Sequence, residues 1–224
     1  MGSIFLLSFA PRRRKKIETR PIDANGRERE REREQNTINQ YPAGMNLFIL
    51  SLLPKEIAEA MMDKHVSKIL LEAVQMLCTA KRVLDPDAPE NEQLYKLAHK
   101  NHPVTIWCRT SRANFVWTLD LIDALHSEWR FRYGHPETKV HKSYLVAQIL
   151  RATIPDASAF LLPQCDCDCD RITPFALAMP DAYKSPDGDP VASYRAYYMS
   201  PEKQKIATWS KARGPPEWYT PIHY

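Results

Sequence analysis

With 224 residues, 44% of them hydrophobic, 26% charged and 10% aromatic, the chain has the balance of an ordinary folded domain rather than of a disordered or membrane protein. The formal net charge of +4 sits early: residues 1–44 hold ten Lys/Arg against six Asp/Glu, which leaves twenty-one of each sign in residues 45–224, so charge alone does not mark a nucleic-acid binder. Six glycines against eighteen prolines argue against a hairpin-rich sheet, whose tight turns need positive φ, and point to an all-α fold.

Residues 1–44 contain the basic cluster Arg12, Arg13, Arg14, Lys15 and Lys16 and the alternating RERERERE tract of residues 27–34, with almost nothing apolar to bury. That composition predicts a disordered or solvated extension. The cluster has the make-up of a nuclear address or a DNA-tethering arm; a solvated tail with no role is the simpler reading. Five cysteines, an odd number with Cys165, Cys167 and Cys169 crowded together, do not form a secreted disulfide framework and favour a reducing intracellular setting. The apolar stretch ahead of Arg12 stands in the reverse order of a secretory signal. The longest nearly unbroken apolar run, residues 45–53, is nine residues long, against the ~20 needed to span a bilayer. Because Met45 opens that run, the expected organisation is an extension over 1–44 and one compact helical domain over 45–224, with long proline-rich loops.

Helix is predicted from Pro54 to about residue 82, with Val66, Ile69, Leu70, Ala73, Leu77 and Ala80 recurring at three and four and a break or kink near Asp63. After a loop over 85–92, one long aromatic-rich helix is expected from His102-Pro103 towards Tyr133, stopped by Gly134. A weaker helix covers 139–153 and residues 155–190 read as loop. Asp189-Pro190 and Ser200-Pro201 each open a further helix, the second carried through Trp209, and the last residues are too proline-rich for one.

His65, Lys68, Glu72 and Gln75 share one stripe of the first long helix, with Lys64 extending it. A solvated face with ordinary ion pairs explains such a stripe, yet an amine, an imidazole and a carboxylate are also the parts for acid/base work on a sugar or base. Lys100, His102 and Trp107 surround the next helix start, where free N–H groups can hold a phosphate, and Arg109 and Arg112 follow. A histidine cap and a structural Trp are the plainer alternative. In the segment around residue 195, Tyr194 and Tyr198 face inward together, which leaves Arg195 for a polar contact. The CDCDCD tract lacks C-x2-C spacing and a second ligand pair, so it reads as an acidic loop rather than a zinc site.

Asp63-Lys64-His65, Lys68 and Glu72-Ala73-Val74-Gln75, then Lys100-Asn101-His102-Pro103 and Trp107, then Glu128-Trp129-Arg130 and Arg132-Tyr133-Gly134, resemble the ordered blocks of the pyrimidine-dimer DNA glycosylase (endonuclease V) family. Trp209, Trp218 and Tyr219 echo its aromatic C-terminus, and a viral or phage branch is the implied setting. The resemblance spans about residues 45–134. It implies an all-helical fold, no cofactor or metal, a monomer, and double-stranded DNA with a damaged base as partner. It further implies a DNA repair glycosylase with abasic-site lyase activity, in which an amine attacks the deoxyribose C1′ and expels the base through a Schiff base. Glu72 would manage the protons, with His65 and Lys68 beside it. The amine would be that of Asn46 in a chain trimmed to start there, that of Met45 in a chain initiated at Met45, or else that of Lys64 or Lys68. Lys64, Lys100, His102, Trp107, Arg109, Arg112 and Arg195 would contact DNA. The alternatives are a non-catalytic nucleic-acid-binding protein of the same fold and an enzyme acting on a free nucleotide or modified base.

Overall fold

Residues 45–50 run through the molecule as a covered, non-helical segment in which Leu47, Phe48, Ile49 and Leu50 are each no more than 2% exposed. The computed structural model describes residues 45–162 and 172–220, all within one unit, Asn39–Tyr224. Seven α-helices and no strand occur among the described residues: α1 (Pro54–Ala60), α2 (Asp63–Leu84), α3 (Pro103–Cys108), α4 (Arg112–Arg132), α5 (Lys142–Ala152), α6 (Pro190–Tyr198) and α7 (Pro201–Gln204). The all-α reading therefore holds. The disordered extension, the cluster from Arg12 to Lys16, and Cys165, Cys167 and Cys169 lie outside the described residues. Among those described, no helix is long and apolar enough to cross a membrane.

The centre of the fold is α2, packed against α3, α4 and α5, while α1 lies on α4. Its apolar residues cover more than one face: Val66, Ile69, Leu70, Ala73, Val74, Met76, Leu77 and Cys78 are all buried, as expected of a helix surrounded by others. The break before it falls at Met61-Met62, both extended, next to the expected position at Asp63. Arg132, whose side chain is fully buried, holds that break from the far end of α4. Its guanidinium donates to the carbonyls of Glu59 (2.7 Å) and Met61 (2.5 Å), so it satisfies acceptors that the end of α1 leaves open. The same group pairs with Asp63 at 3.1 Å and Glu128 at 2.5 Å.

The single helix expected from residue 103 to 133 is two, separated at Arg109, Thr110 and Ser111. Thr110 turns its hydroxyl back onto the Ile106 carbonyl (2.9 Å), and extended Ser111 caps α4 by accepting the Asn114 N–H (3.2 Å). Asn114 then pins the break to a distant loop. Its amide donates to the Trp107 carbonyl and the Thr173 hydroxyl, and its Oδ1 accepts the Thr173 N–H at 2.9 Å. At the other end of α4 Gly134, with φ +60°, makes the stop predicted for it. His135 N–H reaches the Arg130 carbonyl (2.9 Å) and Gly134 N–H the Phe131 carbonyl (3.3 Å), a paired closure that needs the left-handed conformation. Asp189 and Ser200 cap α6 and α7 as expected, but α7 ends at Gln204 rather than continuing through Trp209.

Candidate active site

The acid Glu72 is carried on α2, four residues after Lys68, so the two side chains meet: Lys68 Nζ lies 3.1 Å from Glu72 Oε1. Its second oxygen accepts the main-chain N–H of Asn46 at 3.0 Å, a bond that spans 26 residues of sequence. Asn46 is fixed there by its own amide, which donates to the Ala178 carbonyl (2.7 Å), while its Oδ1 accepts the Tyr194 hydroxyl (3.2 Å). The carboxylate is only 5% exposed, whereas the Lys68 side chain is 41% exposed, so the acid lies one layer beneath the surface. Burial pushes the Glu72 carboxyl above its ordinary value, against the opposing pull of the Asn46 N–H and the Lys68 charge.

Lys203, from α7, completes the cluster. Its ammonium sits 5.1 Å from the Phe48 ring centroid and 5.0 Å from that of Tyr197, within electrostatic reach of Lys68 and Glu72. Burial and the Lys68 charge lower its pKa, while Glu202 and Glu72 oppose the change. Nothing in the local sequence around Lys203 marks it, because its neighbours in space come from residues 48, 68 and 72. The site can hold and release a proton at Glu72, one layer beneath the surface and next to an amine.

The structure brings Asn46, Lys68 and Glu72 together and sets His65 apart. His65 is 1% exposed, stacked 4.9 Å from Phe48, with Nδ1 3.0 Å from the Tyr198 hydroxyl. Burial, aided by the charges of Lys203, Lys68 and Lys64, drives its pKa down to about 3, so it is a neutral core group and not a proton donor facing substrate. This corrects its assignment to acid/base work. Lys64 is exposed on the same helix.

Around α3 the plainer alternatives prevail. His102 is a buried N-cap whose Nδ1 accepts the Val104 N–H at 3.3 Å, and the helix it caps is only six residues long. Trp107 is 4% exposed, stacked 4.6 Å from Phe175, and donates its indole N–H to the Thr173 carbonyl. Neither presents a surface on which a base stacks. Lys100 and Arg112 are exposed, and Arg109 donates to the Lys100 carbonyl at 2.7 Å, which brings Lys100 and Arg109 together. Arg195 does make a polar contact, but an internal one: its Nε donates to the Leu50 carbonyl (2.9 Å), and its guanidinium lies 4.9 Å from the Trp218 ring. It ties residues 45–50 to the C-terminal segment.

Among the described residues no cluster of His, Cys, Asp and Glu has the make-up of a metal site. Cys78 and Cys108 are buried, and burial pushes both thiols up to about 12, which leaves them unreactive. A separate open groove of about 480 Å³ lies where Arg213 bridges Glu59 and Glu128, lined by α1 and α4, and Glu72 is not part of it. No protein-family model matches the chain, and neither a curated protein nor a solved structure is similar to it.

Proposed function

We propose that the protein is a DNA repair glycosylase with abasic-site lyase activity, acting on damaged pyrimidines in duplex DNA through an amine. The observation that carries this reading is the 3.0 Å contact between the Asn46 main-chain nitrogen and Glu72. In a chain whose first residue is Asn46, that nitrogen is a free amine resting on a buried carboxylate. Such a pair has the parts the reaction needs. The amine attacks C1′ of the damaged nucleotide and the C1′–base bond breaks, with Glu72 supplying the proton that leaves with the base; the C1′–O4′ bond then breaks, O4′ taking a proton from the attached amine, which leaves the Schiff base at C1′. Glu72, then ionised, accepts the C2′ proton as the C3′–oxygen bond breaks and the phosphate departs; water releases the sugar and restores the amine. Burial raises the Glu72 carboxyl above its ordinary value, which favours the protonated form that gives the first proton. Lys68, exposed beside the acid, and Lys64, exposed one turn earlier on the same helix, would meet phosphates.

The test is strand scission of a duplex with one abasic site and of ultraviolet-irradiated duplex, resolved on denaturing gels. Glu72→Gln is expected to lower the scission rate by about 10²–10⁴ while binding, followed by fluorescence anisotropy, changes less than about threefold. No scission by the full chain or by a chain beginning at Asn46 overturns the reading, as does an active Glu72→Gln variant.

A second reading has its own support: in this sequence the Asn46 nitrogen is a peptide nitrogen, with Met45 before it. A protein with that nitrogen blocked and no other amine engaged is a non-catalytic duplex binder. Salt-dependent binding without scission is its signature.

A further inference from the structure

Two nitrogens contact Glu72, the Asn46 main-chain nitrogen and Lys68 Nζ, and a third, Lys203 Nζ, lies within electrostatic reach of it. The Asn46 nitrogen, while it belongs to a peptide bond, has its lone pair delocalised into the carbonyl and does not attack carbon. Lys68 Nζ is engaged with the carboxylate at 3.1 Å and stands largely in water. Lys203 differs from both: it is half-buried, and among the described residues it forms no ion pair. Its ammonium rests over the rings of Phe48 and Tyr197, at 5.1 and 5.0 Å from their centroids.

Its backbone is held as firmly as its surroundings. Ser200 Oγ accepts the Lys203 N–H at 3.4 Å, Gln204 N–H reaches the Ser200 carbonyl at 2.9 Å, and the Gln204 amide donates to the Met199 carbonyl at 2.7 Å. The side chain therefore starts from a capped turn that follows directly on α6, where Tyr197 forms part of its floor and Tyr198 is buried against His65. An amine on a rigid support, dry on one side and beside a second cation and an acid, is the arrangement in which a lysine becomes a nucleophile.

We infer that Lys203 is the amine that forms the Schiff base in the chain whose Asn46 nitrogen is engaged in a peptide bond. The assignment rests on the lyase reading above and names the reacting group of that site. At an abasic sugar in its open aldehyde form, neutral Lys203 Nζ adds to C1′ and the carbinolamine oxygen leaves as water with a proton supplied by Glu72. The iminium so formed acidifies the C2′ hydrogen. Ionised Glu72 takes that proton, the C3′–oxygen bond breaks with departure of the 3′ phosphate, and water hydrolyses the imine to return Lys203 and an unsaturated aldehyde. Burial and the Lys68 charge favour the neutral amine, Glu202, Glu72 and the faces of Phe48 and Tyr197 favour the charged one, and the buried His65 is uncharged.

The experiment is borohydride trapping of the full 224-residue chain on a duplex bearing one abasic site, followed by proteolysis and mass spectrometry of the adduct. The adduct is expected on the peptide containing Lys203. Lys203→Arg keeps a cation over Phe48 and Tyr197 but offers no nucleophile, and is expected to lower trapped product at least a hundredfold with an unchanged far-ultraviolet dichroism spectrum; exposed Lys205→Arg stays within twofold of the parent. An adduct on Lys64, Lys68 or the chain's α-amine overturns Lys203 as the amine and leaves the lyase reading intact, as does undiminished trapping by Lys203→Arg. Scission with no adduct on any residue also removes Lys203. Neither adduct nor scission, from this chain or from one beginning at Asn46, removes the lyase reading itself.

Discussion

The hydroxyl of Tyr198 lies 3.0 Å from Nδ1 of His65 and also accepts the Met62 N–H at 2.9 Å, so one buried side chain of α6 secures the first turn of α2. Loss of that hydroxyl in Tyr198→Phe strips two buried groups of their partner. A destabilisation of about 1–3 kcal/mol in urea unfolding is expected, and an unchanged midpoint would show that the start of α2 is secured by other contacts.

His65 makes stability depend on pH. Its folded pKa of about 3 is below its ordinary 6.5, so the folded protein keeps the ring neutral where the unfolded chain protonates it. The contribution is present above about pH 6.5 and is lost as pH falls towards 3, with a slope near 1.4 kcal/mol per pH unit for a single group. His126, lowered to about 4 by burial and by Arg130 and His141, acts in the same direction. Urea midpoints at pH 7, 6, 5 and 4 should fall steadily, and His65→Gln should remove part of the slope. An identical slope in the variant would assign the titration elsewhere.

Arg132 is the most exacting electrostatic position. Its removal in Arg132→Ala leaves Asp63 and Glu128 without their common buried partner, and opens the carbonyls that end α1. The expected cost is about 3–5 kcal/mol, typical of breaking a buried pair from one side. Equilibrium unfolding measures it; a loss below 1 kcal/mol would mean that Arg213, which also reaches Glu128, carries the network.

Glu72 should show the opposite of a structural ion pair. Because burial raises its pKa, its stabilising contribution is complete below its ordinary value and is lost as pH rises through the folded value. Above that window Glu72→Gln keeps an acceptor for the Asn46 N–H and removes the buried charge. Relative to the parent's, the melting temperature of Glu72→Gln is expected to rise as pH rises through that window. A fall of several degrees would place the Lys68 attraction above the cost of burial.

Arg195 separates an internal strap from a DNA contact. Arg195→Gln should lose about 1–2 kcal/mol through the Leu50 carbonyl and the Trp218 ring, while duplex affinity stays within twofold. A large loss of affinity at unchanged stability would return Arg195 to the DNA surface.

Helix starts were legible in the sequence because they are decided within a few residues. Pro54, Pro103, Asp189-Pro190, Ser200-Pro201 and Gly134 act on backbone groups of their own turn, and Lys68 meets Glu72 because four residues make one turn of helix. The break at Ser111 was not, since Asn114 stabilises it through Thr173, 59 residues away. The same distance problem governed the site. Whether His65 and Trp107 face water or core depends on Tyr198, Phe48 and Phe175, which periodicity along one helix does not register. The sequence by itself determined the all-α class, most helix starts and the acid–lysine pair; only tertiary packing split the helix at Ser111 and brought Asn46 onto that acid and Lys203 within its electrostatic reach, because burial and charge proximity are properties of the assembled chain.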